Sequence, residues 1–173
     1  MSIHTGVNAA RGDIIATLDG DGQNDPADIP SLLKVLADGA GDGVVMVAGV
    51  RRKRQDTYWR RLSSRIANRF RGLFLNDGIE DTGCGLKVFY RSAFLSLPRF
   101  NHMHRFLPAL IQRDGGIVSS VDVKHRPRST GRSHYGTWGR LGAGLIDVMG
   151  VIWLRKRAKF VQIEEHIKGS KND

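Results

Sequence analysis

The sequence predicts an α/β sandwich with a largely parallel sheet, because apolar runs of strand length alternate along it with segments whose apolar residues recur at helical spacing. Two of those runs carry the argument. Ile14–Thr17 breaks off into the acidic, glycine-rich stretch Leu18-Asp19-Gly20-Asp21-Gly22-Gln23-Asn24-Asp25-Pro26, and Val44–Val50 opens directly into Arg51-Arg52-Lys53-Arg54. Carboxylates at the end of one strand and guanidinium groups at the end of another lie where open α/β sheets bind ligands.

The elements follow in order. Asp25 reads as an N-cap with Pro26 at the first helical position, and Ile29, Leu32, Leu33 and Leu36 repeat at helical spacing until Gly39. A Gly-Asp-Gly turn leads to the strand Val44–Val50. Beyond the basic loop, Trp59, Leu62, Ile66, Phe70 and Leu73 mark one face of a second helix whose other positions carry Arg60, Arg61, Arg65 and Arg69. Asn76-Asp77-Gly78 closes it with turn chemistry, and Asp81-Thr82-Gly83-Cys84-Gly85 introduces a strand over 86–90. A third helix is expected over 104–113 and an alternating strand over 117–123. Residues 126–136, polar and glycine-containing, read as a loop with basic donors. From Trp138, the residues Leu141, Leu145, Val148, Met149, Ile152 and Trp153 give a final amphipathic helix that ends in Arg155-Lys156-Arg157-Ala158-Lys159.

Composition narrows the function classes. At 173 residues and 40% apolar content the chain can bury a sizeable core. One cysteine, Cys84, excludes an internal disulfide and a cysteine zinc site, which suits a reducing compartment. Stretch 141–154 contains Asp147 and falls short of the roughly 20 apolar residues that span a bilayer, so no crossing is expected, and no secretory leader is recognised. The net charge of +10 is unevenly placed. Residues 51–71 hold eight arginines and one lysine against Asp56 alone, and 124–159 hold nine basic residues against Asp147 alone, so each block carries +8 and the remainder −6. A basic field beside a carboxylate cluster suits anionic substrates, although solvated helix faces account for many of these arginines. The last helix, with Trp138 and Trp153 and a basic end, fits either a core helix with cations at its C-terminus or a helix on an anionic membrane surface.

Two carboxylates one residue apart, flanked by Gly20 and Gly22, offer hard oxygen ligands to a Mg2+ or Mn2+ that carries phosphates. An EF-hand beginning at Asp19 would need glycine and glutamate where Asn24 and Pro30 stand, so that reading fails. A haloacid-dehalogenase-type phosphatase would want Thr or Ser where this chain has Gln23, and stays a distant rival.

Four motifs then resemble those of glycosyltransferase family 2, and within it the dolichol-phosphate mannose synthase-like enzymes. Gly6-Val7-Asn8-Ala9-Ala10-Arg11-Gly12-Asp13 is similar to the family's helix and entry into its metal-site strand, and residues 18–26 to its Asp-x-Asp-x-Gln loop. Asp81-Thr82-Gly83-Cys84-Gly85-Leu86-Lys87 resembles its Asp-x-x-Ser-Gly-Phe segment, and His125-Arg126-Pro127-Arg128 through Tyr135-Gly136 its Arg-x-x-Gly-x-Ser-Lys-Tyr loop.

The resemblance implies a GT-A sandwich with a mostly parallel central sheet and inverting transfer of a sugar from a nucleotide-sugar donor to a polyprenyl (dolichyl or undecaprenyl) phosphate. It implies Mg2+ or Mn2+ as cofactor and a peripheral enzyme on the cytoplasmic face of the membrane. Asp21 and Gln23 would hold the metal and Asp19 would face the nucleotide or the metal shell. Arg128 and Ser133 would close over the phosphates, while Arg51, Arg60 and Ser64 would contact the acceptor phosphate. Asp81 is a candidate catalytic base or positioning group.

By the same comparison the GT-A part occupies 1–136 without its N-terminal strands, which would expose a sheet edge; an amphipathic helix with a basic end covers 137–160, and a weakly ordered tail 161–173. His134 replaces the usual lysine of the closing loop. The alternatives are a family 2 enzyme with a saccharide acceptor, an inactive remnant, or a basic module for anionic lipid or nucleic acid. No nucleic-acid motif supports the last.

Overall fold

The computed structural model describes residues 2–51, 78–79, 81–126 and 137–158. The helix expected over 59–73, with Arg60 and Ser64, and the loop bearing Arg128 and Ser133 lie outside the described residues, as does the tail.

Strands β1 (Ile14–Thr17), β2 (Val44–Val50), β3 (Lys87–Tyr90) and β4 (Ile117–Asp122) form one sheet in the order β1-β3-β2-β4. The pairs β1/β3 and β3/β2 are antiparallel and β2/β4 is parallel. Thus, among the described strands, β1, β2 and β4 run one way and β3 alone is reversed. The expected α/β sandwich is present, and its sheet is mixed: the described strands pair antiparallel at β1/β3 and β3/β2 and parallel at β2/β4, where a mostly parallel sheet was expected. Reversal of β3 brings its N-terminal approach, residues 81–86, to the edge where the other three strands end.

Helices cover both faces because β3 alternates apolar side chains to the two sides. On one face Met46, Ala48 and Phe89 pack with Phe94, Leu97, Phe106, Leu107, Leu110 and Val151. These come from α3 (Arg91–Leu95), α4 (Leu107–Arg113), α5 (Thr137–Lys156) and the segments between them, and Val7 adds α1 (Ser2–Ala9). Phe89 stacks on Phe94 with ring centroids 5.3 Å apart. On the other face Val47, Leu86 and Val88 meet Leu32 and Leu36 of α2 (Ile29–Asp38). Asp25 caps a short 3-10 turn, Pro26–Asp28, through Ala27 N–H, and that turn leads into α2.

The helix expected over 104–113 begins instead with a 3-10 turn, Met103–Arg105, and only then becomes α4. Phe106, at φ −116° and ψ 9°, breaks the helical path, and Pro108 has no N–H to continue an earlier turn. Among the described strands β1 lies at the edge, with Ile14 and neighbouring Leu18 exposed.

Candidate active site

Because β1, β2 and β4 are co-directional, their C-terminal ends deliver three loops to one sheet edge, and reversed β3 begins there. β1 runs into Asp19 and Asp21, β2 into Arg51, and β4 into His125 and Arg126. Asp81 and Cys84 stand on the approach to β3.

Asp19 is exposed and lies directly against Gly85, where an added Cβ would come within 2.6 Å of Asp19 Oδ1. Only glycine allows that approach. Thr17, the last residue of β1 and the register partner of Lys87, donates through Oγ1 to Gly85 O at 3.0 Å and fixes the same loop from the strand side. Asp21 is half-buried, and its Oδ1 accepts the Gln23 N–H at 3.1 Å. Gly22 between them adopts φ 75°, the left-handed conformation that this tight turn requires and that glycine takes without strain.

The acidic loop is zipped onto the chain leaving β4. Asn24 bridges His125, Arg126 N–H donates to Gln23 O at 3.0 Å, and Lys124 N–H donates to Asp28 Oδ2 at 2.8 Å. Arg126 Nη2 reaches Asp25 Oδ2 at 2.5 Å. The Ala27 N–H bond holds the Asp25 carboxyl below its ordinary range; burial opposes this, and the Arg126 charge assists it. Gln23 Nε2 and His125 Nε2 are 3.5 Å apart. The sequence motif that contains His125 gives it no role; its position three residues past the end of β4 is the signal that it could join the loop.

Arg51 and Asp81 form a bidentate pair, Nε to Oδ2 at 2.6 Å and Nη2 to Oδ1 at 2.9 Å, and Asp81 Oδ2 also accepts Arg51 N–H at 3.3 Å. The two side chains are only 10% and 8% exposed. Burial alone would lower the pKa of Arg51, but the bonds and charge of Asp81, with smaller help from Cys84 and Asp19, raise it. Lys87 is buried below this pair and donates through Nζ to Cys84 O. Burial lowers its pKa against the attraction of Cys84, Asp19 and Asp81. Burial pushes the Cys84 thiol up, so it serves as a donor, 3.8 Å from Asn24 Oδ1. The arginine loop, the Asp81–Gly85 loop and the acidic loop are therefore interlocked.

What can this edge hold? Asp19, Asp21 and Gln23 are oxygen donors suited to a hard divalent cation. Among the described residues no three His, Cys, Asp or Glu side chains form a complete cage. That donor set fits Mg2+ or Mn2+, which commonly rest on one or two carboxylates and take further ligands from phosphates.

The glycosyl transferase family 2 profile matches residues 2–97, a span that includes the acidic loop, Arg51 and the whole Asp81–Gly85 segment. The chain belongs to glycosyl transferase family 2. Family 2 relatives agree. The chain is 34% identical over 161 residues, 90% of its length and 46% of the relative's, to a dodecaprenyl-phosphate galacturonate synthase of Rhizobium johnstonii. It is 32% identical over 135 residues, 78% of its length and 40% of the relative's, to an undecaprenyl-phosphate 4-deoxy-4-formamido-L-arabinose transferase of Edwardsiella ictaluri. The chain thus spans less than half the length of these curated relatives.

In fold the family 2 chain is similar to glucosyl-3-phosphoglycerate synthase from Mycobacterium tuberculosis. The structure of that enzyme with Mn2+, UDP-glucose and glycerol 3-phosphate matches with TM-score 0.59 and 19% identity, over 89% of this chain and 53% of that one. The same enzyme with Mg2+ and UDP matches with TM-score 0.60 at 18% identity.

Proposed function

We propose that this chain carries the metal-diphosphate half of an inverting glycosyltransferase that moves a sugar from a nucleotide-sugar to a polyprenyl phosphate at the cytoplasmic membrane face. One observation carries the reading: paired carboxylates just past β1 and a buried Arg51–Asp81 pair, just past β2 and on the approach to β3, converge at one sheet edge. The named activities of its family 2 relatives, both directed at polyprenyl phosphates, support the acceptor class.

Asp21 and Gln23 would hold the divalent ion, with Asp19 facing the nucleotide or the metal shell and His125 within reach of Gln23. When bound, the ion would neutralise charge that develops on the departing diphosphate. Arg51 presents a guanidinium whose orientation is set by Asp81, and guanidinium forks match phosphate oxygens. Of the two roles open to Asp81, positioning is favoured, since three hydrogen bonds to Arg51 already occupy its carboxylate. An anionic acceptor needs orientation and charge balance more than deprotonation, so the chemistry does not require Asp81 as a base. Arg60, Ser64, Arg128 and Ser133 complete the proposed set as further phosphate contacts.

The test is calorimetry with a panel of nucleotide sugars in Mn2+, followed by transfer of labelled sugar to a chloroform-soluble lipid. Metal-dependent binding that Asp21→Ala abolishes, with label entering lipid, is expected. Binding that ignores metal, or normal transfer by Asp21→Ala, overturns the proposal. Label appearing in water-soluble saccharide instead would keep the fold's chemistry and reject the lipid acceptor.

A further inference from the structure

Helix α5 turns two different faces to its surroundings. Val148, Val151, Ile152 and Leu154 pack on the core, whereas Ile146, Met149 and Trp153 are 71%, 66% and 60% exposed. Gly150, Lys156 and Arg157 are exposed as well. At helical periodicity these six fall within about 120° of the circumference, forming one continuous stripe. Along the axis the stripe is ordered, with two aliphatic residues first, the tryptophan next and the cations last, over roughly 16 Å. The one carboxylate of the helix, Asp147, projects beside the stripe and is met by His102 Nδ1 at 3.2 Å.

We infer that this stripe is a docking surface for an anionic lipid bilayer, on which α5 lies flat. Ile146, Met149 and Trp153 would enter the headgroup–acyl boundary, where an indole with its polar N–H is favoured, and Lys156 and Arg157 would meet anionic headgroups. Spanning is not the geometry, since no described helix is long and apolar enough to cross a membrane. Charge selects the occupant: a chain with a net +10, and with cations on the stripe itself, is complementary to an anionic surface and repels a second copy of itself. The helix is also tied to α4, which shares the core of that face of the sheet. Arg113 Nε on α4 donates to Leu154 O at 3.1 Å, and the Asp147–His102 contact joins α5 to the turn preceding α4. Docking would therefore fix the orientation of the site relative to the bilayer. The inference deepens the proposed function and rests on it for the location of the acceptor, but its test requires neither donor nor acceptor.

The experiment is co-sedimentation of the chain with phosphatidylcholine vesicles made with and without phosphatidylglycerol, across a salt series. Binding to the anionic vesicles that weakens with salt is expected. The triple variant Ile146→Ser/Met149→Ser/Trp153→Ser should lose about tenfold or more in affinity. Lys156→Gln/Arg157→Gln should lose about tenfold and flatten the salt dependence. Circular dichroism checks that the variants fold, and if the triple variant does not, the charge variant and the Trp153→Ser single variant decide.

The inference is overturned if the wild-type chain binds neither vesicle, or if the variants bind as the wild type does. It is equally overturned if analytical ultracentrifugation finds a dimer that the triple variant dissociates, for then a second copy covers the stripe. Vesicle binding without sugar transfer would sink the transferase reading and leave the surface standing. Transfer without vesicle binding would do the reverse.

Discussion

Replacing Asp81 by asparagine should strand the Arg51 guanidinium. In the folded chain Asp81 gives Arg51 two side-chain bonds of 2.6 and 2.9 Å and one backbone bond of 3.3 Å, with the arginine side chain only 10% exposed. Asparagine keeps the shape but removes the countercharge and turns an amide N–H2 toward one guanidinium nitrogen. Losing one partner of a buried pair costs about 3–5 kcal/mol. Because Arg51 sits at the rim of the sheet and is half-buried as a whole residue, the low end applies, about 3 kcal/mol. For a chain of this size that lowers the melting temperature by roughly 6–12 °C. The double variant Arg51→Met/Asp81→Leu removes both charges and should recover most of that loss, to within about 1 kcal/mol of wild type. Urea unfolding followed by circular dichroism on the wild type, Arg51→Met, Asp81→Leu and the double variant, alongside Asp81→Asn, gives the coupling between the two positions. A loss below about 1 kcal/mol in Asp81→Asn would mean that the pair behaves as a solvated surface contact, and the positioning role of Asp81 would fall with it.

Four further outcomes follow from the same edge. Gly85→Ala should displace the Asp19 carboxylate and weaken metal-dependent nucleotide binding by about tenfold or more, with thermal stability changed by less than about 1 kcal/mol; calorimetry paired with a melting curve reads both. His125→Ala should weaken Mn2+-dependent nucleotide binding more than Asp28→Ala does, since only the former faces Gln23, and the calorimetric comparison refutes this if the two agree. The folded pKa of Asp25 is depressed, so its contribution is present above the unfolded value of 3.8 and is lost as pH falls through the lower, folded value. Asp25→Asn should flatten the stability profile in that acid range in a urea series. The pKa of Lys87 is lowered from 10.5, so the unfolded chain binds the extra proton and stability rises with pH between the folded value and 10.5. Lys87→Met should remove that rise without lowering stability at neutral pH, as chemical unfolding at several alkaline pH values would report.

Much of this arrangement was legible in the sequence because it depends on local chemistry. The runs Ile14–Thr17 and Val44–Val50 are apolar strands that end in charged residues, and Asp25-Pro26 announces a capped turn; each signal is contained within a few residues. The reversed direction of β3 was not legible, since no local pattern records which way a strand enters a sheet. Nor did spacing reveal that Arg51 and Asp81, thirty positions apart, would neutralise one another. The break before α4 was readable in principle from Pro108, yet the apolar periodicity across Phe106 and Leu107 masked it. His125 escaped assignment because its partner, Gln23, is a hundred residues away and the two meet only when β4 ends beside the acidic loop. Conversely, the apolar periodicity of the last helix marked it as amphipathic but could not say which of its large residues the core would leave outside; Met149 shares the apolar pattern with Val148 and Ile152, and it alone of the three is exposed.

The placement of β1 at the rim of the sheet has a thermodynamic corollary. Among the described residues, the four of β1 that lead into both aspartates pair with β3 on one flank, and the other flank offers N–H and C=O groups to a strand that comes alongside. Whatever hydrogen-bonds there would stiffen the stem of the acidic loop, and a cation seated in that loop would in turn stiffen the stem. Each event must then strengthen the other by the same factor, so the grip on an ion and the completion of the sheet are two readings of one equilibrium.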